Sequence, residues 1–102
     1  MRIVKFLNTD CAVQFGRYSN GRIAIQLTVI EGGVFIEPMC VATVNLPDVQ
    51  CGVGEVFIKS YSENEGVLDV LTDAGIIELT GSEVPCGHAI AYRAKLLVEP
   101  NV

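Results

Sequence analysis

The sequence contains no tryptophan and only seven lysine and arginine residues, and its formal net charge is −5. The basic residues are scattered along the chain rather than clustered. Because binding to nucleic acid depends on lysines and arginines that neutralise phosphates, we expect no direct contact with DNA or RNA. No apolar stretch approaches the ~20 residues of a membrane span, and residues 1–6 lack the apolar core of a signal peptide. These absences predict a cytoplasmic protein that does not interact with a membrane.

Several common catalytic and metal-binding motifs are also missing. The chain has no Cys-x-x-Cys pair, no glycine-rich loop followed by Gly-Lys-Ser/Thr, and no His-Glu-x-x-His helix. The usual signatures of zinc fingers, phosphate-binding loops and zinc proteases are therefore absent. A cysteine–histidine nucleophile would also need a third group that orients the base, and nothing in the sequence marks one. We expect a protein that is not an enzyme.

Four cysteines and one histidine are the soft metal ligands of the chain. Cys11 and Cys40 fall in predicted strands, where a free cysteine is a common small core residue. Cys51, and the pair Cys86 and His88, fall in glycine-containing loops that could bring side chains together. We expect no cofactor, only isolated thiols and a surface histidine. A zinc ion held by Cys51, Cys86, His88 and Cys40 is the alternative.

Length and composition predict one folded domain over residues 1–102, because half of the residues are hydrophobic. Alternating apolar residues indicate strands over most of the chain, and Asn20-Gly21 predicts a tight hairpin turn within residues 11–30. Residues 81–88 are predicted to form a loop. The whole pattern predicts an α+β domain, with a mostly antiparallel, curved sheet of about six strands and one α-helix on one face of the sheet.

The helix is predicted at about residues 63–74. Ser62 and Glu65 have the spacing of a capping box, in which each side chain accepts the backbone N–H of the other residue. Leu71 belongs to an apolar stripe that is typical of a helix packed on a core, and Gly75 is a favourable residue for ending the helix.

Three carboxylates, Glu65, Asp69 and Asp73, are spaced four residues apart along this predicted helix. That spacing places them on one helix face, where like charges repel by about 0.2–0.5 kcal/mol per pair. Asp73 also lies near the negative end of the helix dipole. Local stability therefore does not explain the stripe. It is either a solvated face, partly neutralised by nearby lysines and arginines, or a surface that docks on a basic surface of a partner protein.

Four short motifs stand out in the sequence, and they are Gly21-Arg-Ile-Ala-Ile-Gln-Leu27, Ala42-Thr-Val-Asn-Leu-Pro47, Tyr61-Ser-Glu-Asn-Glu-Gly66 and Ala74-Gly-Ile76. Together they resemble a family of small proteins of unknown function, of about this length, that bacterial phages and integrative mobile elements carry. The resemblance covers most of residues 13–97. It implies a setting rather than a mechanism, namely an accessory protein of a mobile element. The cysteines lie outside the pattern of that family.

From the carboxylate stripe and this resemblance we expect a non-enzymatic accessory protein that binds and inhibits a host defence protein. The most concrete form is an anti-CRISPR protein that blocks a Cas nuclease through Glu65, Asp69 and Asp73, because the nucleic-acid-binding grooves of such complexes are basic. Two alternatives remain open. One is a structural or assembly protein of the element, a homo-oligomer that pairs exposed strand edges, and the other is a small zinc-stabilised domain.

Overall fold

Seven strands and one α-helix make up the part of the chain that the structure, a computed structural model, describes, residues 2–100. The elements in chain order are β1 (Ile3–Phe6), β2 (Thr9–Arg17), β3 (Ile23–Glu31), β4 (Val34–Val41), β5 (Glu55–Lys59), a 3₁₀ turn (Ser62–Asn64), α1 (Val67–Asp73), β6 (Ile77–Cys86) and β7 (Ala89–Leu96). The α+β class is therefore confirmed, and every paired strand is antiparallel to its neighbour.

The strands form two sheets instead of the predicted single sheet of about six strands. Sheet A has the order β1-β2-β3-β4, and sheet B has the order β5-β7-β6. The segment that follows β4 joins them: the Ala42 N–H donates to the Ile25 carbonyl on β3 at 2.8 Å, and the Ala42 carbonyl accepts the Lys59 N–H of β5 at 2.9 Å. The two sheets thus continue into each other on this side. Within residues 2–100, β1 and β6 do not pair on the other side.

Helix α1 lies where the two sheets do not pair and packs on β1, β5 and β6. Val67 and Leu71 are fully buried residues of α1. They join the inner-face side chains of both sheets in one core, which includes Val4, Cys11, Leu27, Val56, Ile58 and Ala94. No helix within residues 2–100 has the length and apolar character that crossing a membrane requires.

The helix is shorter than predicted, because the backbone departs from helical conformation at Gly66. This glycine has a φ of 90°, in the left-handed region, and α1 begins only after it. The predicted capping box is also wrong: the Glu65 N–H donates to the backbone carbonyl of Ser62 at 3.1 Å, and the start of neither helical segment has a side-chain cap. The Leu68 N–H instead donates to Ser60 Oγ at 3.3 Å.

The segment predicted as a loop, residues 81–88, is mostly strand. It forms the second half of β6 and the turn to β7. The pairing of β6 with β7 shifts register between Leu79 and Glu83, where Gly81 has a φ of 87°. Such a bulge lets a strand continue past residues that signal a turn. Hydrogen bonding to β7 therefore overrides the local signal of glycine, serine and proline.

The β2–β3 hairpin forms at the predicted turn, where Gly21 has a φ of 85° and donates its N–H to the Tyr18 carbonyl at 2.9 Å. The hairpin also anchors the connection between the two sheets. The Arg22 guanidinium donates to the carbonyls of Leu46 and Val49. Because both carbonyls belong to the segment between β4 and β5, this arginine fixes the path of the chain from sheet A to sheet B.

Candidate functional site

Negative charge is concentrated in one part of the chain. Residues 60–92 contain six carboxylates and no lysine or arginine, whereas the rest of the chain contains six carboxylates and seven basic residues. The net charge of −5 is thus the sum of −6 from residues 60–92 and +1 from the remainder. The attraction of this chain for any positively charged molecule would therefore come mainly from this segment.

We call these six carboxylates the acidic surface. They lie on or beside the 3₁₀ turn, α1 and β6, and all six residues are exposed. The three elements are neighbours, because α1 packs on β6 and the hydroxyl of Tyr61, just before the turn, lies 3.7 Å from Cys86 Sγ at the end of β6. The members of the acidic surface are Glu63, Glu65, Asp69, Asp73, Glu78 and Glu83.

The ion pairs within residues 2–100 lie outside the acidic surface, and they are Lys5–Asp10 (3.6 Å) and Arg93–Glu55 (3.0 Å). Arg93 is thus engaged by Glu55. Lys95 lies opposite Glu78 in the β6–β7 register without coming within ion-pair distance of it. The acidic surface therefore presents carboxylates that nearby basic side chains do not neutralise.

The three carboxylates predicted from the sequence do not share one helix face. Asp69 and Asp73 lie on α1 four residues apart, on the same face. Glu65 lies outside the helix, between the 3₁₀ turn and Gly66, whose left-handed conformation separates it from α1. The acidic surface therefore spreads over the 3₁₀ turn, α1 and β6 instead of one helix face.

Three members of the acidic surface were not predicted: Glu63, Glu78 and Glu83. The sequence does carry a signal for them, since no lysine or arginine occurs between Lys59 and Arg93. A search for four-residue spacing misses this signal, because it assumes one continuous helix.

The predicted zinc ligands are not brought together. The Cys51 thiol donates to the Glu55 carbonyl at 3.2 Å, at the start of β5. Cys86 is paired with Ala89 at the opposite end of β7 from Lys95, the partner of Glu55. Six residues of strand, about 20 Å, separate these two ends. Within residues 2–100, no group of three or more histidine, cysteine, aspartate or glutamate side chains could hold a metal ion.

The strand cysteines are poorly suited to nucleophilic chemistry. Burial raises the pKa of the Cys40 thiol to about 11, and burial followed by the neighbouring Asp10 carboxylate raises the pKa of Cys11. Both groups therefore stay protonated at neutral pH, and the thiolate is the reactive form. Cys86 is occupied by its contact with the hydroxyl of Tyr61, whose pKa that contact raises.

A second polar cluster surrounds Arg93 on sheet B, beside a shallow depression of about 290 Å³. Its guanidinium lies 4.9 Å from the centre of the Phe57 ring, and donates to the Gln50 carbonyl at 2.8 Å and to Glu55. The Gly52 N–H, 2.8 Å from Glu55 Oε1, and the Arg93 guanidinium hold the pKa of the Glu55 carboxyl below its usual value. Since these groups engage one another, the cluster pins the loop before β5 and leaves no charge for a ligand.

Comparison with protein-family models, with curated proteins and with solved structures finds no match to this chain.

Proposed function

We propose that this protein is a non-enzymatic binding protein whose acidic surface docks on a basic surface of a partner protein. The observation that supports the proposal is the group of six exposed carboxylates in residues 60–92, a segment that contains no lysine or arginine. Like charges held close together cost stability. A partner that carries positive charge gives the same carboxylates a favourable energy and speeds association.

The partner in this proposal is a host defence protein, most concretely a Cas nuclease that the protein inhibits as an anti-CRISPR. The biological setting rests on the resemblance of the sequence to proteins of phages and mobile elements. The chemistry rests on complementarity, because a groove that binds nucleic acid is lined by lysine and arginine. A net charge of −5 is modest, so the protein would border or partly fill such a groove rather than imitate a length of DNA.

The test is a plaque assay with a phage that Cas9 targets, on cells with and without this protein. Wild-type protein is expected to restore plaques. The triple variant Glu65→Gln, Asp69→Asn and Asp73→Asn keeps the shape of each side chain but removes three charges. We expect it to lower rescue by about tenfold or more, and to slow association with the purified Cas9–guide RNA complex rather than speed its dissociation.

A matched control separates the position of the charges from their number. Glu31, Glu37 and Asp48 are exposed carboxylates outside the acidic surface. The triple variant Glu31→Gln, Glu37→Gln and Asp48→Asn changes the net charge by the same amount and should leave rescue intact. Equal loss in both variants would argue against a localised acidic site. Absence of rescue by the wild-type protein would remove Cas9 as the partner.

Pairing of strand edges is a second candidate function, that of an assembly protein of the element. The observation that favours it is β4, an edge strand with three consecutive exposed apolar residues, Val34 (61%), Phe35 (49%) and Ile36 (51%). Two register shifts against β3 and the missing N–H of Pro38 interrupt this edge. It therefore offers only a short segment for pairing.

A further inference from the structure

The outer face of sheet A, turned away from the core, is almost free of charge. Register places Ala12, Gln14, Gln26 and Thr28 side by side in its centre. Lys5 and Asp10 also lie on this face, at one end, where they pair with each other at 3.6 Å. We call this surface, on β1 to β4, the uncharged face.

The uncharged face is also more apolar than a solvated sheet face. Ile3, Phe35 and Val41 lie on it and are 48%, 49% and 39% exposed. Ala12 and Ile30 on the same face are buried although they are not part of the main core cluster. The face of an antiparallel sheet that contacts only water usually carries polar and charged side chains. This face therefore has the composition of a packing surface.

The centre of the uncharged face carries a hydrogen-bonded chain of side chains. Gln26 Nε2 donates to Thr28 Oγ1 at 3.2 Å, and Thr28 Oγ1 donates to Gln14 Oε1. Within residues 2–100, the amide nitrogen of Gln14 and the amide oxygen of Gln26 make no hydrogen bond, so a donor and an acceptor remain side by side. A surface with both groups is complementary to itself.

We propose that two copies of this chain form a dimer by packing their uncharged faces against each other. A two-fold axis that runs along the strands between β2 and β3 places Gln14 of one copy opposite Gln26 of the other, because these two residues are direct cross-strand partners. Each Gln14 amide nitrogen then donates to the Gln26 amide oxygen of the second copy. The same axis sets Thr28 opposite Ala12, two residues that are buried within each copy beneath the glutamines.

The distribution of charge also favours a second copy as the occupant. Two chains of net charge −5 repel each other, and the repulsion is smallest where the facing surfaces carry no net charge. Helix α1, which carries part of the acidic surface, packs on the inner side of the sheets. A dimer through the uncharged face therefore leaves both acidic surfaces open. This inference does not depend on the proposed function.

The size of the face predicts the strength of the dimer. The four strands of sheet A, of 4, 9, 9 and 8 residues, lie about 4.8 Å apart and cover on the order of 500 Å² per copy. The two copies together would bury on the order of 1,000 Å², near the lower limit for specific complexes. We therefore expect a dimer that forms at high micromolar concentration and dissociates on dilution.

The test is the mass of the full chain by light scattering and sedimentation velocity over a range of protein concentrations. We expect a mass near twice the 11.0 kDa of the monomer at high concentration, falling to the monomer on dilution. The variant Phe35→Lys places a charge on the uncharged face, and Gln26→Lys places one at its centre. Each should weaken the dimer by about tenfold or more, since a buried unpaired charge is costly.

The control is Val34→Lys, on the same strand as Phe35 but on its opposite side. It should leave the dimer unchanged. Loss of the dimer with Val34→Lys as well would show that strand edges pair instead, and would overturn the proposal. A monomer at every concentration would overturn it too. Thermal unfolding of each variant confirms that the chain is folded, and retained plaque rescue in a monomeric variant would separate this proposal from the proposed function.

Discussion

The acidic surface and the uncharged face lie on elements that pack around one hydrophobic core. They nevertheless differ in nearly every property that governs binding. The acidic surface lies on or beside the 3₁₀ turn, α1 and the edge strand β6, and carries six carboxylates. The uncharged face lies on one four-stranded sheet and carries amide, hydroxyl and apolar groups. The first can attract a partner over a distance close to the Debye length, about 8 Å in physiological salt. The second can act only on contact.

The comparison shows how a chain of 102 residues can present two surfaces without mixing their chemistry. Six of the twelve carboxylates, without any lysine or arginine, lie in residues 60–92, and five of the ten large exposed hydrophobic residues lie on the strands of sheet A. We therefore expect that each surface can be changed without altering the other. The predictions below test that independence, beginning with the largest expected effect.

Leu71→Ala should cause the largest loss of stability. Leu71 is fully buried and attaches α1 to the core, and truncation of a buried leucine costs about 2–5 kcal/mol. Thermal unfolding should show a melting temperature lower by roughly 10–20 °C. Hydrogen exchange should rise first in α1 and later in β2 and β3. A uniform rise across both regions would show that the acidic surface is not a separate unit of stability.

Asn64→Ala should have the next largest effect, because Asn64 connects the two regions. Its side chain is 1% exposed, and its Nδ2 donates to the carbonyls of Val41 at 2.7 Å and Lys59 at 3.2 Å. The variant removes both of these hydrogen bonds, at a cost of about 1–3 kcal/mol in unfolding free energy. Chemical denaturation measures this directly. The exposed neighbour Glu63→Ala is the control, and a comparable loss there would contradict the role of Asn64.

These two regions differ in how much the sequence predicts of them. The β2–β3 hairpin follows from Asn20-Gly21, because few residues adopt positive φ in a tight turn. The uncharged face requires the register of β2 against β3, which pairs Gln14 with Gln26. Short-range patterns do not contain that pairing. The division into two sheets likewise depends on β5 pairing with β7 across more than 30 residues of sequence.

Errors on the acidic side have a local cause. Ser62 and Glu65 have the spacing of a capping box, which predicts one continuous helix. Gly66 follows directly after Glu65, and its left-handed backbone separates the 3₁₀ turn from α1. The zinc alternative placed Cys51 and Cys86 in two glycine-containing loops. The structure places them at opposite ends of sheet B, since Gly81 forms a bulge within β6 instead of opening a loop.

Salt concentration should affect binding through the two surfaces differently, and this effect should be smaller than the losses of stability above. If the acidic surface binds the Cas9–guide RNA complex as proposed, that binding should weaken by about tenfold between low and high salt, since exposed charges are screened. Dimer dissociation should change by less than about twofold, because the uncharged face carries one internal ion pair and no net charge. Sedimentation velocity and binding kinetics at matched salt concentrations provide both values. A dimer that strengthens steeply as salt rises would mean that the acidic surfaces of two copies face each other.

Acid should produce the smallest effect, and it distinguishes a paired carboxylate from the unpaired ones. The Gly52 N–H and the Arg93 guanidinium lower the pKa of Glu55 in the folded chain. A group with a lowered folded pKa stabilises the fold above its unfolded value, about 4.3 for glutamate, and loses that contribution as the pH falls through the folded pKa. Glu55→Gln should therefore lower the melting temperature at neutral pH, and the difference from wild type should shrink as the pH falls below about 4.

Asp73→Asn removes no ion pair from the described part of the chain, so it should not lower the melting temperature at neutral pH. An equal loss in both variants would show that the acidic surface stabilises the fold and is not reserved for a partner.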